Sequence, residues 1–460
     1  MSASASPSLS RYFCTNKGFY KATLALTLPI ALQNIISLGV NMMDTVMLGQ
    51  LGDLAITAAN LGGQLFLILN CLCFGLASGA SVLIAQYWGK QDMLRVRQLI
   101  ALSLRFVALA SGLFTLAGLF APRAILRIFS PDEAVIAAGA SYLRVLALSF
   151  VLYGLSSCYI MCLRGVGQVR VSMVVYGASF FINVFFNYCF IFGRLGFPQM
   201  GIPGAAWGTV IARGWECLAA LVYMLRIEKK VGFTPRWMLR GGSGLVGDYV
   251  KNSVPVVGNE LLFGLGVSCG NVIIGQMSSQ FVAAASIANV VTQLISVFNW
   301  GVSNATGVMI GRTIGEGHHK RAQREANSLL LVSLALGLVC MVLLLAARGP
   351  VLAVYAVSEE THRIAWQLLT ILALMQPINT VCCNLLVGVL RGGGDVRTNF
   401  LLDCGMQWAM GLPLAALGAF VFHCSAPMVF FLMRSDYLVK LVIGLARVRS
   451  GRWIRTLTRD

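Results

Sequence analysis

The sequence predicts an all-α polytopic membrane protein with twelve transmembrane helices, arranged as two six-helix lobes related by pseudo-two-fold symmetry. Three observations carry this. Of the 460 residues, 57% are hydrophobic and 11% charged, where a soluble domain carries charge on about a quarter of its residues. Apolar runs recur from Lys21 to near Arg447, each about 20 residues or more and so long enough to cross a hydrocarbon core of about 30 Å as a helix. A set of short motifs in the first half also returns in the second.

The hydropathy pattern places helices near residues 22–50, 55–88, 99–120, 134–161, 170–192 and 203–225. Six more follow near 246–275, 280–312, 326–347, 361–390, 397–421 and 425–446. The stretch from Met1 to Lys21 lacks an apolar core ending in a small-residue cleavage site, so the first span is expected to direct insertion. Cys71, Cys73, Cys158, Cys162, Cys189, Cys382 and Cys383 lie inside apolar runs and read as small buried hydrophobes. No Cys/His cluster has ligand spacing.

The net charge of +18 is a topology signal. The first, third and later alternate tails and loops hold Arg11, Lys17, Lys21, Lys90, Arg95, Arg97, Arg164, Arg170 and the group from Arg226 to Lys251. Arg312, Lys320, Arg321, Arg324, Arg391, Arg397 and the tail from Arg447 fall on that side too, against only Arg123, Arg127, Arg194, Arg348 and Arg363 on the other. The positive-inside rule then makes both termini cytoplasmic. Anionic membrane lipids are expected neighbours of this basic face; nucleic acid is not an expected partner.

Val46-Met47-Leu48-Gly49-Gln50 returns as Val272-Ile273-Ile274-Gly275-Gln276, 226 positions later. At the same offset Gly75 to Gly79 matches Gly301 to Ala305 and Pro29 matches Pro255, while Leu163-Arg164-Gly165-Val166-Gly167 aligns with Leu390-Arg391-Gly392-Gly393-Gly394. The expected organisation is an N-lobe at 1–225, a cytoplasmic linker at 226–245 containing Gly241, Gly242 and Gly244, and a C-lobe at 246–460. Six spans per unit put both copies in one orientation, with a cavity expected between the lobes. Gly75, Ser78, Gly79, Ala80 and Ser81 permit close helix contact.

Ionisable groups within spans are costly and point to function. Asp44 lies in a run, Ala22 to Leu51, with no other charge, about 35 Å of helix beyond Lys21. Asn183 and Asn187 share one face of the fifth span, and Thr209 lies about two turns into the sixth. Depth brings the four together in the outer half. One carboxylate, two amides and a hydroxyl suit a hard monovalent cation such as Na+, or a protonatable Asp44; a structural hydrogen-bond knot is the competing reading.

Glu260, about 15 Å into the seventh span, is a candidate for pairing with a cationic substrate or carrying a proton. Gln33, Asn34, Asn259, Asn379 and Asn384 are candidate cavity lining. Arg213 with Glu216 and Asp436 with Lys440 are spaced to pair on one helix face; Arg144, Asp403 and Arg434 have no local partner in the sequence. Pro29 and Pro255 each remove a backbone donor and are expected to bend their spans.

The chain resembles the multidrug and toxic compound extrusion (MATE) transporters over nearly its whole length. Leu28-Pro29-Ile30, Met43-Asp44-Thr45-Val46 and Gly49 resemble the family's first helix, and Ala80-Ser81-Val82-Leu83-Ile84-Ala85-Gln86 the end of its second. Leu163 to Gly167 resembles the loop after its fourth helix; Asn183 to Asn187, Phe190-Ile191-Phe192-Gly193 and Gly201-Ile202-Pro203-Gly204-Ala205-Ala206 are similar to its fifth and sixth.

The resemblance implies a MATE-like fold and export of organic, often cationic and amphiphilic compounds by antiport with Na+ or H+, through alternating access of two lobes. It places Asp44 on the family's first-helix aspartate, and Asn183, Asn187 and Thr209 on its N-lobe cation cluster. One family pattern has a carboxylate where this chain has Asn187, which lowers the charge offered to Na+ and leaves proton coupling through Asp44 open. Glu260 approximates a seventh-helix glutamate of some members. The tenth-helix aspartate of others is absent, with Asn379 and Thr380 nearby.

Two alternatives stand beside export: a lipid-linked precursor flippase, which should show more basic residues within its spans, and an exporter of one specific metabolite. No catalytic constellation is present. The expectation is a transporter, not an enzyme, with no cofactor beyond the coupling ion. It is expected to work as a monomer in the cell membrane.

Overall fold

The computed structural model describes residues 12–14, 16–239, 243–353, 355 and 357–459. Arg11, Gly241 and Gly242 lie outside the described residues.

Long helices dominate the first half: α1 (Lys17–Gly49), α2 (Asp53–Gly89) and α3 (Met93–Phe120), then a short α4 (Pro122–Arg127). Next come α5 (Glu133–Ala147), α6 (Ser149–Gly165), α7 (Arg170–Phe192) and α8 (Ile202–Val222), the last extended by a π-helical turn to Ile227. The second half runs through α9 (Val246–Gly275), α10 (Ser279–Gly315), α11 (His319–Ala353) and α12 (Glu359–Cys383), which continues as a π-helical stretch to Leu390. α13 (Val396–Met406), α14 (Leu412–Ala416), α15 (Ala426–Met433) and α16 (Asp436–Arg449) complete it. Among the described residues there is no strand.

The sequence marks many of these boundaries. Asp132 caps α5 by accepting from the amides of Ala134 and Val135, Ser278 caps α10 through Phe281, and Ser358 caps α12 through Thr361, each satisfying donors that an open helix end leaves free. Gly193 ends α7 in the left-handed region at φ 65°, where a side chain would be strained.

Among the described residues, nine helices are long and apolar enough to cross a membrane, or ten if the bent pair α5 and α6 is one span. With α8 and the α15–α16 pair they fill the twelve expected places. α8 falls short because Arg213 and Glu216 sit inside its apolar run, and α15 and α16 because each is too short alone.

Two spans expected to be continuous are broken. The fourth bends by 49° between α5 and α6. There Ser149 Oγ takes the Leu146 carbonyl at 2.6 Å and Thr115 Oγ1 of α3 takes that of Ala147 at 3.2 Å, so hydroxyls replace helix donors at the bend. The twelfth breaks between α15 and α16, where Ser435 Oγ takes the Leu432 carbonyl at 2.7 Å.

The chain forms two compact units, Leu32–Glu260 and a second combining residues up to Ala31 with Leu261–Asp460. The crossing points fall inside α1 and α9, close to Pro29 and Pro255, and both helices run unbroken through their prolines. The sequence repeat and the compact units are therefore different divisions of the chain.

The small-residue stripe on α2 explains how the first unit closes. A Cβ on Gly75 would stand 2.7 Å from Val257 Cα, and one on Gly79 2.7 Å from Ser253 Cα. Tyr249 Oη and Asn252 Nδ2 donate to the carbonyls of Leu76 and Gly79, at 3.2 and 2.8 Å. The first half of α9 thus packs on α2. In the second unit, a Cβ on Gly301 of α10 would meet Ala31 Cα at 3.4 Å. Gly301 and Ala31 are the repeat counterparts of Gly75 and Val257 at the 226-residue offset.

Both units carry a docked extension. After α8, Glu228 accepts from the amides of Val231 and Gly232. α3 also holds this segment through Arg97 Nε to Val231 O at 2.5 Å and Arg105 Nε to Met238 O at 2.7 Å. After α16, Trp453 is fully buried and donates through Nε1 to Gln323 of α11 at 2.9 Å, while buried Asp395 binds Arg447 at 2.8 Å and Arg455 at 2.9 Å.

Candidate functional site: a polar chamber beside Asp44

Within the unit formed by Leu32–Glu260 lies a chamber of about 180 Å³. Its walls come from α1, α2, α6, α7 and α8, with Gln33, Asn41, Asn70, Asn183, Thr209 and Arg213 supplying polar groups and Phe66, Tyr153 and Tyr176 supplying rings.

At one end, the four residues singled out as a cation cluster meet. Asn187, fully buried, donates from Nδ2 to Asp44 Oδ1 at 2.5 Å and to Asn183 Oδ1 at 3.2 Å. Asn183 donates in turn to Thr209 Oγ1 at 3.4 Å, and Thr209 to the Ala205 carbonyl at 3.1 Å. Asn183 and Asn187, one turn apart on α7, aim the amide pair at α1. Gly208 makes the fit possible, because a Cβ there would lie 2.0 Å from Asn187 Oδ1 and 3.0 Å from its backbone N.

Whether Na+ suits this cluster is decided by which atoms face Asp44. A sodium ion needs oxygens, yet Asn187 presents its N–H group to both Asp44 and Asn183, and its own Oδ1 is buried without a partner. Asp44 is the only carboxylate among the four residues. For Asn187 to offer an oxygen to a cation at Asp44, its amide would have to turn.

Farther along α8, Arg213 and Glu216 form the expected pair: Nη1 donates to both carboxylate oxygens at 2.8 and 2.9 Å. Ser179 Oγ adds a third bond to Glu216 at 2.6 Å. The guanidinium lies 4.8 Å from the Tyr153 ring centre and 5.9 Å from that of Phe66. The spacing predicted the pair, and the structure sets it in the chamber wall.

Gln33 is buried and accepts from Arg164 Nη2. Arg164 counted toward the loop charge in the sequence, but it lies on α6 and is only 7% exposed; Arg391 is likewise 2% exposed. Asn41 and Asn70 were detectable as amides inside apolar runs. Tyr153, Tyr176 and Ser179 carry no such signal.

The remaining candidates lie elsewhere. Asn34 and Glu260 are half-buried and Asn259 is buried, none in the chamber wall. Asn379 is half-buried on α12, and Asn384 donates to Ser333 Oγ at 2.6 Å and the Leu329 carbonyl at 3.1 Å, a contact inside the helix bundle. Asp403, which lacks a partner nearby in sequence, is bound by Lys440 at 3.0 Å, and Lys440 also holds Asp436 at 2.7 Å. Arg434 stacks over Phe430 at 4.3 Å, and Arg144 is exposed.

These features define a polytopic helical membrane protein with a polar chamber in the wall of one helical unit and a carboxylate at its end. The sequence matches the MatE family profile over residues 29–189 and 255–438, and the chain belongs to that family of transporters. A probable multidrug resistance protein NorM from Thermotoga maritima is 24% identical over 447 residues, 96% of this chain and 95% of the relative. The multidrug resistance protein PmpM of Pseudomonas aeruginosa is 25% identical over 403 residues, covering 86% and 83%.

Among solved structures, the Vibrio cholerae MATE transporter VcmN in its bent form matches with a TM-score of 0.86 at 16% identity, over 95% of this chain and 99% of that one. A MOP superfamily transporter from Pyrococcus furiosus, described as having a binding pocket of reverse polarity, matches with a TM-score of 0.85 at 18% identity, over 97% and 100%. These structural likenesses show the shared fold.

Proposed function

We propose that the chain is a secondary active exporter of organic compounds, driven by protons that load Asp44. The carrying observation is the Asp44 carboxylate itself, set in an apolar span, held by Asn187 and close to a chamber of mixed aromatic and polar lining. A charge in such surroundings is costly unless paired. A proton, or the ammonium group of a substrate, satisfies the same carboxylate, and the two therefore compete. That competition couples inward proton flow to outward substrate movement, as the two lobes alternate in access. The names of the NorM and PmpM relatives support multidrug efflux as the activity. The protein works as a monomer in the cell membrane with both termini cytoplasmic, following the loop charges.

The test is reconstitution in liposomes with a fluorescent organic cation under an imposed pH or Na+ gradient. Substrate movement is expected to follow the pH gradient and to stop in Asp44→Asn, with the variant's helicity and melting retained. Movement driven by Na+ alone would overturn the proton assignment. Undiminished transport in Asp44→Asn would overturn the site.

A further inference from the structure

The chamber holds a second charged group whose bonding is incomplete. Among the described residues, every hydrogen bond Arg213 makes leaves from Nη1. Its side chain is 19% exposed and lines the chamber, as does Glu216, which is 2% exposed and accepts from Arg213 and Ser179. The Tyr153 and Phe66 rings flank the guanidinium and hold its plane. The edge left without a hydrogen bond is Nε–Nη2, a planar fork that matches a carboxylate with two parallel bonds.

Glu216 prevents Arg213 from carrying net charge into an apolar span, yet leaves this edge available. Past the lining residues Asn183 and Thr209, and joined to them through Asn187, Asp44 offers the opposite sign. The two ends are set apart by α8, on which Arg213 stands one turn, about 5.4 Å, from Thr209. Thr209 is joined to Asp44 only through Asn183 and Asn187.

We infer that Arg213 is the carboxylate-binding group of the chamber, and that its substrates are compact zwitterions with amine and acid separated by more than one helical turn. This rests on the chamber being the transport site. The volume of 180 Å³, about six water volumes, admits one aromatic ring carrying both groups. The ammonium end competes with the proton at Asp44, and the carboxylate stays on Arg213. An α-amino acid, whose two charges share one carbon, cannot reach both ends.

The probes are 4-(aminomethyl)benzoate, its methyl ester, and phenylalanine as a control of similar size with adjacent charges. Binding to the purified full chain is measured by calorimetry, and transport in proteoliposomes under a pH gradient. 4-(Aminomethyl)benzoate is expected to bind about tenfold or more tightly than its ester, as a charge-assisted pair implies, and more tightly than phenylalanine.

In Arg213→Gln combined with Glu216→Gln, which leaves no unpaired buried charge, the ratio of acid to ester should fall to near one. Arg213→Lys keeps the charge without the fork and should lower the ratio severalfold; it carries the test if the double variant does not fold. A ratio near one in the wild type, or an unchanged ratio in both variants, overturns the inference. If the ester is exported in an Asp44-dependent way with no preference for the acid, the inference alone fails. If neither compound binds or moves while the fluorescent cation is still exported in an Asp44-dependent way, the inference fails and the proposed function stands; if that cation is not moved either, both readings fall.

Discussion

Gly208→Ala tests whether α8 is shaped around the Asn187 amide. The added methyl would stand 2.0 Å from Asn187 Oδ1, far inside contact distance, and the amide is the most easily moved neighbour. Turning it away breaks the 2.5 Å bond to Asp44, a charge-assisted hydrogen bond whose loss costs about 1.5–3 kcal/mol. Alanine in a helix recovers about 1 kcal/mol relative to glycine, so the net destabilisation is roughly 0.5–2 kcal/mol. In an Asn187→Ala background the same substitution meets no side-chain amide, only the backbone N at 3.0 Å, and should cost far less.

Denaturation of the four proteins of this cycle in one detergent gives the coupling between positions 187 and 208, expected at about 1.5–3 kcal/mol. Transport driven by a pH gradient should fall in Gly208→Ala alongside stability. A coupling below about 0.5 kcal/mol, the level at which independent sites simply add, would show that Gly208 is not there to admit the amide.

Lys440→Met removes the cation shared by the Asp403 and Asp436 carboxylates and should cost about 3–5 kcal/mol, read as a lowered melting temperature; replacing all three by apolar residues of similar volume should cost much less. Gln33→Leu removes the acceptor of the buried Arg164 guanidinium, and should destabilise by about 1.5–3 kcal/mol in the same assay. Trp453→Ala empties a fully buried site and breaks the bond to Gln323, which should cost about 3–5 kcal/mol and expose the residues after Arg449 to protease.

The meeting of Asp44, Asn183, Asn187 and Thr209 was legible from spacing and depth. Two amides four apart share a face of one helix, and counting residues from the membrane edge puts Asp44 and Thr209 at their depth. The Arg213–Glu216 pair was legible from its three-residue spacing, but spacing on one helix does not show that the pair lines a chamber. Asp403 looked alone because its partner Lys440 stands 37 positions away. The breaks at Leu148 and Arg434 escaped notice since a serine inside an apolar run, such as Ser149 or Ser435, reads as a tolerated helix residue until its hydroxyl is seen on a carbonyl three back.

The exchange of helix halves was hidden for a different reason. Hydropathy and the 226-residue repeat both divide the chain at the linker, and each half looks self-sufficient. In the structure, Gly75 and Gly79 are closed by Val257 and Ser253, and Gly301 by Ala31, so each half's second helix is covered by a first helix that the other half encodes. Residues 1–225 expressed alone would leave the α2 glycine stripe, together with the carbonyls of Leu76 and Gly79, without the α9 partners that satisfy them. That half should aggregate or be degraded, and co-expression with residues 226–460 should restore a soluble, monodisperse complex in detergent. A stable monodisperse N-terminal half would show that another surface closes α2, and that the exchange is not required for the unit to fold.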